Sequence, residues 1–150
     1  MVDTQIIDGK AVAAQLRTEL ANEVKSMSNQ PGLAVILVGD DPASKVYVGS
    51  KIRACEQVGI KSYESRLSDK TTEAEIAAEI KAFDDNKDVH GILLQLPLPY
   101  PLDSDVLVQS ITPEKDVDGL TYLNAGKLVA GDQSGIVPCT PQGSLMLIKS

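Results

Sequence analysis

The stretch Gly91-Ile92-Leu93-Leu94-Gln95-Leu96-Pro97-Leu98-Pro99 decides the fold of this chain. Its first apolar run shows no alternation with polar residues, which is typical of a strand buried on both faces of a parallel sheet. The two prolines remove backbone donors and end the strand, so Gln95 is predicted to lie at the carboxyl edge of the sheet. Open α/β folds bind their ligands at that edge. We therefore interpret the stretch as the central strand and Gln95 as a candidate site residue.

The sequence before this strand alternates between helix and strand patterns. Leu33–Val38 is a second continuous apolar strand, and Lys61–Leu67 is a more exposed one. Helices are predicted over residues 9–26, 42–58, 73–84 and 105–110, the first three with Asp8, Asp41 and Thr72 as N-caps. The apolar stripe of the first helix is expected to pack on the sheet. This order predicts a Rossmann-like, three-layer α/β fold, with a mostly parallel sheet covered by helices on both faces.

From Thr112 onward the pattern changes to a loop-rich segment with little regular structure. Long ordered loops in compact proteins are usually functional. Thr140 and Pro141 are predicted to be the N-cap and first turn of a last, apolar helix. Because this helix carries no stop signal, we expect the natural chain to continue beyond Ser150.

Composition excludes several classes of function. The 150 residues, 43% of them hydrophobic, are enough for one domain with an aliphatic core. A net charge of −7 argues against a nucleic-acid or anionic-membrane partner. The sequence contains neither a targeting signal nor an apolar stretch of membrane-spanning length, which favours a cytoplasmic protein. Cys55 and Cys139 lack metal-ligand spacing and are interpreted as buried free thiols.

Tyr47 and Lys51 lie four residues apart on the second predicted helix and therefore share one face. The helix begins at the carboxyl end of a buried strand, so this face is expected on the same rim as Gln95. A lysine on a helix surface is more often a solvated charge. His90, at the opposite end of its strand, is assigned to structure. Proton transfer at this rim is thus left to lysine, tyrosine or a carboxylate.

The segment Lys115-Asp116-Val117-Asp118-Gly119 places two carboxylates on alternating sides of a short loop. Such a loop can be a solvated turn in which aspartate caps a backbone amide. Alternatively, one carboxylate can accept two parallel hydrogen bonds from an amidine-like ligand edge. The residue pattern leaves both interpretations open.

Four stretches together resemble the bifunctional methylenetetrahydrofolate dehydrogenase/methenyltetrahydrofolate cyclohydrolase family. They are Val38–Ser44 leading to Tyr47 and Lys51, Gly91–Pro99, Pro113–Gly119, and Pro138-Cys139-Thr140-Pro141 followed by Gly143. The similarity spans essentially the whole chain. It implies oxidation of 5,10-methylenetetrahydrofolate with NADP, followed by hydrolysis of the methenyl cation to 10-formyltetrahydrofolate.

The resemblance also implies a role for individual residues. Lys51 matches the family's catalytic lysine, Tyr47 the tyrosine that stacks on the folate, and Gln95 the glutamine that orients the lysine. Asp118 matches the residue that grips the pterin ring. The expected substrate-binding set is Tyr47, Lys51, Leu94, Gln95, Leu96, Pro97 and Asp118.

The main departure from the family is that the expected NADP-binding motif is missing. No Gly-x-Gly-x-x-Gly motif follows a strand, so we expect no cofactor-binding residue in this chain. Residues 1–140 are interpreted as the folate-binding catalytic domain, and 141–150 as the start of a helix leading to a separate NADP-binding domain. The resemblance further implies a homodimer when the protein is full length. The 150 residues alone are expected not to catalyse hydride transfer.

Two alternatives remain at this point. One is a phospho-receiver module, because Asp40 and Asp41 follow a buried strand as the acidic pair of such modules does. Arg66-Leu67-Ser68 stands where a receiver has a further aspartate, which disfavours this alternative. The other is a folate-binding domain without turnover.

Overall fold

A computed structural model describes residues 6–150 of the protein. The prediction that no targeting segment opens the chain falls partly on residues 1–5, which lie outside the described residues. In chain order the elements are α1 (Gly9–Ser26), β1 (Gly32–Val38), α2 (Pro42–Val58), β2 (Lys61–Leu67), α3 (Glu73–Asp85), β3 (Gly91–Leu94), α4 (Ser104–Gln109), α5 (Tyr122–Ala130) and α6 (Cys139–Lys149).

Within residues 6–150, the three strands form a parallel sheet in the order β2-β1-β3. The strand in the middle is therefore β1, and the prediction that Gly91–Leu94 is the central strand is wrong. An isolated parallel bridge joins Ile92 to Asp116 on the free side of β3, with the Ile92 amide donating to the Lys115 carbonyl at 2.7 Å. This extra pairing helps explain why all four residues of β3 are buried, as predicted.

Helices cover both faces of the sheet, which confirms the predicted three-layer architecture. On one face, strand residues pack against α3 and α4 in a cluster that includes Ala34, Ile36, Ile76, Ile80, Ile92, Leu94, Leu107 and Val108. On the other face, α2 packs over a smaller cluster of Val35, Leu37, Val48 and Leu93. Burying one such aliphatic side chain contributes roughly 1.5–3 kcal/mol. The sheet is therefore a rigid support for whatever its carboxyl edge presents.

Helix α1 does not pack as predicted. None of its residues is buried, and it lies against α2 rather than against the sheet. The contact is close where Val24 meets Gly59, the left-handed residue that ends α2. A Cβ atom on Gly59 would lie 3.3 Å from Cγ1 of Val24. The apolar stripe of α1 thus covers another helix and adds a peripheral layer.

The starts of α1, α2 and α3 were predicted correctly, and each has the predicted side-chain cap. The Asp8 carboxylate accepts from the Lys10 and Ala11 amides, and Asp41 accepts from the Ser44 amide at 2.7 Å. Thr72 and Glu75 form the predicted capping box of α3. Each cap satisfies amides that have no partner inside the helix.

Thr72→Ala should lower the free energy of unfolding by about 1 kcal/mol, because it removes the hydroxyl that accepts from the Glu75 amide. Urea denaturation followed by circular dichroism measures this change. Thr71→Ala, one residue outside the cap, is the control and should change the free energy by less than about 0.5 kcal/mol.

Residues 112–150 contain more regular structure than predicted. Helix α5 occupies the middle of the segment interpreted as loop-rich, with Thr121 as N-cap accepting from the Asn124 amide. Helix α6 begins at Cys139 and has Pro138 at its N-cap position, without a side-chain cap, so the assignment of Thr140 as N-cap is wrong. Within residues 6–150, the helices all fall short of the length and apolar character that crossing a membrane requires.

Candidate functional site

Gln95 and Lys51 meet at the carboxyl edge of the sheet, as predicted. The backbone N–H of Gln95 donates to the Ile36 carbonyl at 2.9 Å. This bond continues the pairing of β1 with β3 and fixes the backbone of Gln95. Its side-chain Oε1 accepts from Lys51 Nζ at 3.2 Å, while Nε2 donates to the Leu96 carbonyl at 2.6 Å. Because a carbonyl can only accept, the Leu96 contact orients the amide so that its oxygen faces the ammonium group. The Gln95 side chain is therefore oriented to accept a hydrogen bond from the lysine.

Asp118 lies on the same cavity as Lys51. The cavity has a volume of about 480 Å³ and continues down the α2 face of the sheet towards the amino ends of β1 and β3. Its apolar lining includes Leu33, Ala54, Ile60, Leu93 and Val117. Burial raises the pKa of Asp118, the Lys51 ammonium opposes that rise, and the Asp116 carboxylate adds to it. A carboxylate and an amine thus face one largely apolar space, a common arrangement for binding a flat polar ligand.

The other members of the Lys115–Gly119 segment have structural roles. Lys115 Nζ donates to the carbonyls of Phe83, Asp84 and Asn86 and so caps the end of α3. Asp116 is buried and accepts from the Thr121 amide and from Asn124 Nδ2. Burial favours its neutral form, but these hydrogen bonds outweigh burial and lower the pKa of Asp116. Of the two acids, Asp118 is therefore the one that faces the cavity.

The remaining predicted site residues lie around this centre. Tyr47 is one helical turn before Lys51 on α2, with 63% of its surface exposed. The Leu94 side chain points into the core and is 3% exposed, while Pro97 is exposed. Leu96 contributes the carbonyl that orients Gln95. The structure thus brings Lys51, Gln95 and Asp118 together and leaves Tyr47 at the open rim.

The two thiols differ from each other. Cys55 is buried, as predicted, but Cys139 is exposed, because it opens α6 at the surface. The Cys139 thiol donates to the Val117 carbonyl at 3.0 Å and lines the cavity beside Asp118. The pKa of the Cys139 thiol is raised, mainly because the thiol is partly desolvated and secondly because the Asp118 charge is nearby.

His90 has the structural role predicted for it. Its Nδ1 accepts from the Gly32 amide at 3.1 Å, and its own amide donates to the Gly32 carbonyl at 2.8 Å. Both contacts join the amino ends of β1 and β3, far from Gln95. The ring therefore supports strand pairing, and it lines the end of the Lys51 cavity that is remote from Gln95.

Asn124 and Cys139 are the two site-related residues that sequence reasoning missed. Cys139 was taken for a core thiol, and Asn124 fell in the segment interpreted as loop. A signal for Asn124 was present, because Thr121 is a good N-cap with Asn124 three residues later. Nothing in the sequence indicated that the Asn124 side chain reaches Asp116.

The fold and site define a parallel α/β domain with a lysine, its amide partner and a carboxylate beside one cavity at the sheet, the kind of place where α/β proteins bind small ligands. The model of the tetrahydrofolate dehydrogenase/cyclohydrolase catalytic domain matches residues 7–118. The chain belongs to this family.

Two bifunctional FolD proteins illustrate the similarity. The protein from Rhizobium johnstonii is 48% identical over 97% of this chain and 50% of its own length. The protein from Sphingopyxis alaskensis is 50% identical over 98% of this chain and 50% of its own length. The chain thus spans about half the length of the curated relatives it matches.

Solved structures show the same fold. The bifunctional FolD enzyme of Campylobacter jejuni superposes with a TM-score of 0.92 at 45% identity, covering 97% of this chain and 52% of that one. The Trypanosoma brucei methylenetetrahydrofolate dehydrogenase-cyclohydrolase, in complex with NADP cofactor and inhibitor, gives a TM-score of 0.93 at 32% identity, covering 99% and 52%.

Family membership decides against the phospho-receiver alternative, and the local structure agrees. The Asp40 side chain is 91% exposed and pairs with Lys45. Asp41 is engaged as the N-cap of α2. These two carboxylates therefore do not form a shared acidic pocket.

Proposed function

We propose that this chain is the folate-site half of a bifunctional enzyme of one-carbon metabolism. The full-length protein oxidises 5,10-methylenetetrahydrofolate with NADP and hydrolyses the resulting 5,10-methenyltetrahydrofolate to 10-formyltetrahydrofolate. The observation that carries the proposal is the convergence on Lys51: its Nζ lies 3.2 Å from Gln95 Oε1, and Lys51 lines a cavity together with Asp118. Family membership supports the choice of substrate.

Asp118 is proposed to bind the pterin ring. The amidine-like edge of a pterin presents two parallel N–H donors, which match the two oxygens of one carboxylate. The apolar walls of the cavity suit the flat ring, and the exposed ring of Tyr47 at the rim is available to stack on the part of the folate that leaves the cavity. Leu96 and Pro97 are proposed to adjoin the ligand, whereas the Leu94 side chain is buried in the core and is proposed to support this segment from below.

Lys51 is proposed to be the base for hydrolysis. Water adds to the cationic methenyl carbon and loses a proton to the Lys51 amine, which gives a neutral carbinolamine and a Lys51 ammonium. The ammonium then returns its proton to N5 as the C–N5 bond breaks, and the carbinol hydroxyl releases its proton to water as the formyl C=O forms on N10. A cation beside Lys51 disfavours its ammonium form, so the substrate itself favours the free amine that the step needs. Gln95 Oε1 is proposed to fix the position of this nitrogen at the carboxyl edge of the sheet.

NADP is proposed to bind a different domain of the full-length protein. The turn after β1 does not suit its phosphates, because Asp40 is exposed there and the Asp41 carboxylate already takes the Ser44 amide. Two carboxylates at the start of α2 repel a phosphate that glycines would otherwise admit. On the resemblance to the family, we further propose that the full-length protein is a cytoplasmic homodimer.

The isolated 150-residue chain should therefore form no NADPH from 5,10-methylenetetrahydrofolate and NADP. Hydride transfer needs the reacting carbons about 3–3.5 Å apart, and the turn after β1 does not suit the phosphates that would fix the nicotinamide there. Absorbance at the NADPH band measures the reaction, with the full-length protein as positive control. NADPH formation by the isolated chain would contradict the assignment of NADP to another domain.

Calorimetric titration tests the proposed ligand directly. The chain should bind tetrahydrofolate and a pterin without the aminobenzoyl-glutamate tail, since Asp118 and Lys51 address the ring. It should bind aminobenzoyl-glutamate alone much more weakly. Equal binding of the two fragments, or no binding of tetrahydrofolate, would contradict the proposed function.

A further inference from the structure

Asn124 is a buried amide whose polar atoms all have partners. It is 2% exposed and lies in the first turn of α5. Its Nδ2 donates to the Pro113 carbonyl at 2.9 Å and to Asp116 Oδ2 at 3.0 Å, and its Oδ1 accepts from the Ile136 amide at 3.1 Å. One side chain thus ties together two segments that are far apart in sequence. A fully satisfied buried polar group fixes geometry more strictly than apolar packing does.

The two segments that Asn124 joins enclose Asp118. Gly119, with φ +66°, lies so close to the second segment that a Cβ atom would be 2.8 Å from the Ile136 carbonyl oxygen and from the Pro138 nitrogen. On the other side of Asp118, the Val117 carbonyl accepts from the Cys139 thiol at 3.0 Å. The turn that carries Asp118 is therefore held against residues 136–139, and Asn124 joins the base of that turn to the start of the same segment.

We propose that Asn124 is a positioning residue for Asp118: it locks the Asp116–Gly119 turn against residues 136–139 and so aims the Asp118 carboxylate into the Lys51 cavity. The cavity lining includes Asp118 and Cys139 but not Asn124, so Asn124 acts through the turn and not on the ligand. Asp116 is the intermediate, since its buried carboxylate depends on Asn124 and Thr121 for donors. The inference rests on the proposed function only for the identity of the ligand.

The first test needs no ligand. In Asn124→Ala, the midpoint of the Asp118 carboxyl titration, followed by carbon-13 NMR in the 150-residue chain, should fall towards that of an exposed aspartate. The charged and titratable groups facing Asp118 are Lys51, Asp116 and Cys139. The substitution removes none of the three, and Asp116 keeps its hydrogen bond from the Thr121 amide while it loses the one from Asn124. Asp41, the cap of α2, is the internal reference and should not move. An unchanged Asp118 midpoint would overturn the proposal.

The second test is a double-mutant cycle on tetrahydrofolate affinity. Asn124→Ala should weaken binding at least about tenfold, since a misplacement of about 1 Å has effects of this size or larger. In the Asp118→Asn background the same change should weaken binding less than about twofold, because the residue it positions is gone. Equal losses in both backgrounds would overturn the proposal. Asn22→Ala, on the exposed face of α1, is the matched control.

Two further results keep these tests decisive. If Asn124→Ala does not melt cooperatively, Asn124→Leu replaces it, because leucine fills the buried volume without restoring the hydrogen bonds; the same outcomes apply. If the unaltered chain binds no tetrahydrofolate, the proposed function fails, and the ligand-free titration of Asp118 alone decides whether Asn124 positions that residue.

Discussion

Lys51→Met in the full-length protein should lower cyclohydrolase turnover by about 10²- to 10⁴-fold, the range that a positioned acid or base contributes. Methionine keeps the length and apolar body of the lysine stem but cannot accept a proton from the attacking water. The measurement is kcat for hydrolysis of 5,10-methenyltetrahydrofolate at saturating substrate. Because Asp118 and the cavity walls remain, KM should change much less than kcat.

Lys45→Met is the matched control for this prediction. Lys45 lies on the same helix and pairs with the exposed Asp40 at the surface. Its replacement should leave kcat within about twofold, because a surface ion pair contributes little. Unchanged kcat in Lys51→Met, in a protein that still melts cooperatively, would remove Lys51 from the chemistry. A rise in KM with constant kcat would reduce it to a binding residue.

The strands and the helices capped by Asp8, Asp41 and Thr72 could be predicted because their signals are local. A continuous run such as Leu33–Val38 is buried on both faces wherever it lies in a parallel sheet, and Asp41 followed by Pro42 caps a helix in any surroundings. The partner of α1 could not be predicted, because an apolar stripe fits a helix as well as a sheet. The prediction of the strand order was wrong for a related reason. The sequence marks Gly91–Leu94 as buried but does not indicate which strands lie beside it.

The candidate site also contains one feature that local signals predicted and one that they could not. Parallel topology alone indicated that Gln95 and the helix bearing Lys51 share an edge, and the structure places them in contact. The choice between Asp116 and Asp118 did not follow from the residue pattern, because both acids alternate along one short loop. The choice depends on Thr121 and Asn124, which lie five and eight residues downstream of Asp116 and donate hydrogen bonds to its carboxylate. Asp116 is thereby engaged in the fold, and Asp118 is left to face the cavity. Only tertiary structure, or resemblance to the family, could supply that distinction.

Asp118→Asn should weaken tetrahydrofolate binding by about 10- to 100-fold, since a hydrogen bond to a charged group contributes about 1.5–3 kcal/mol. An asparagine can accept only one of the two hydrogen bonds that the pterin edge offers and points a donor at the other. Calorimetric titration of the chain measures the loss. Asp88→Asn, an exposed acid elsewhere on the surface, should leave the affinity within about twofold.

The same substitution should stabilise the ligand-free protein at neutral pH. Burial raises the pKa of Asp118 above the ordinary value of 3.8. The folded state therefore keeps this proton to a higher pH than the unfolded state, and stability falls as pH rises through that window. Asp118→Asn removes this cost, so its melting temperature should exceed that of the unaltered chain at pH 7, with the difference disappearing below the ordinary aspartate pKa. A lower melting temperature at pH 7 would show that the Asp118 carboxylate supports the fold rather than a ligand.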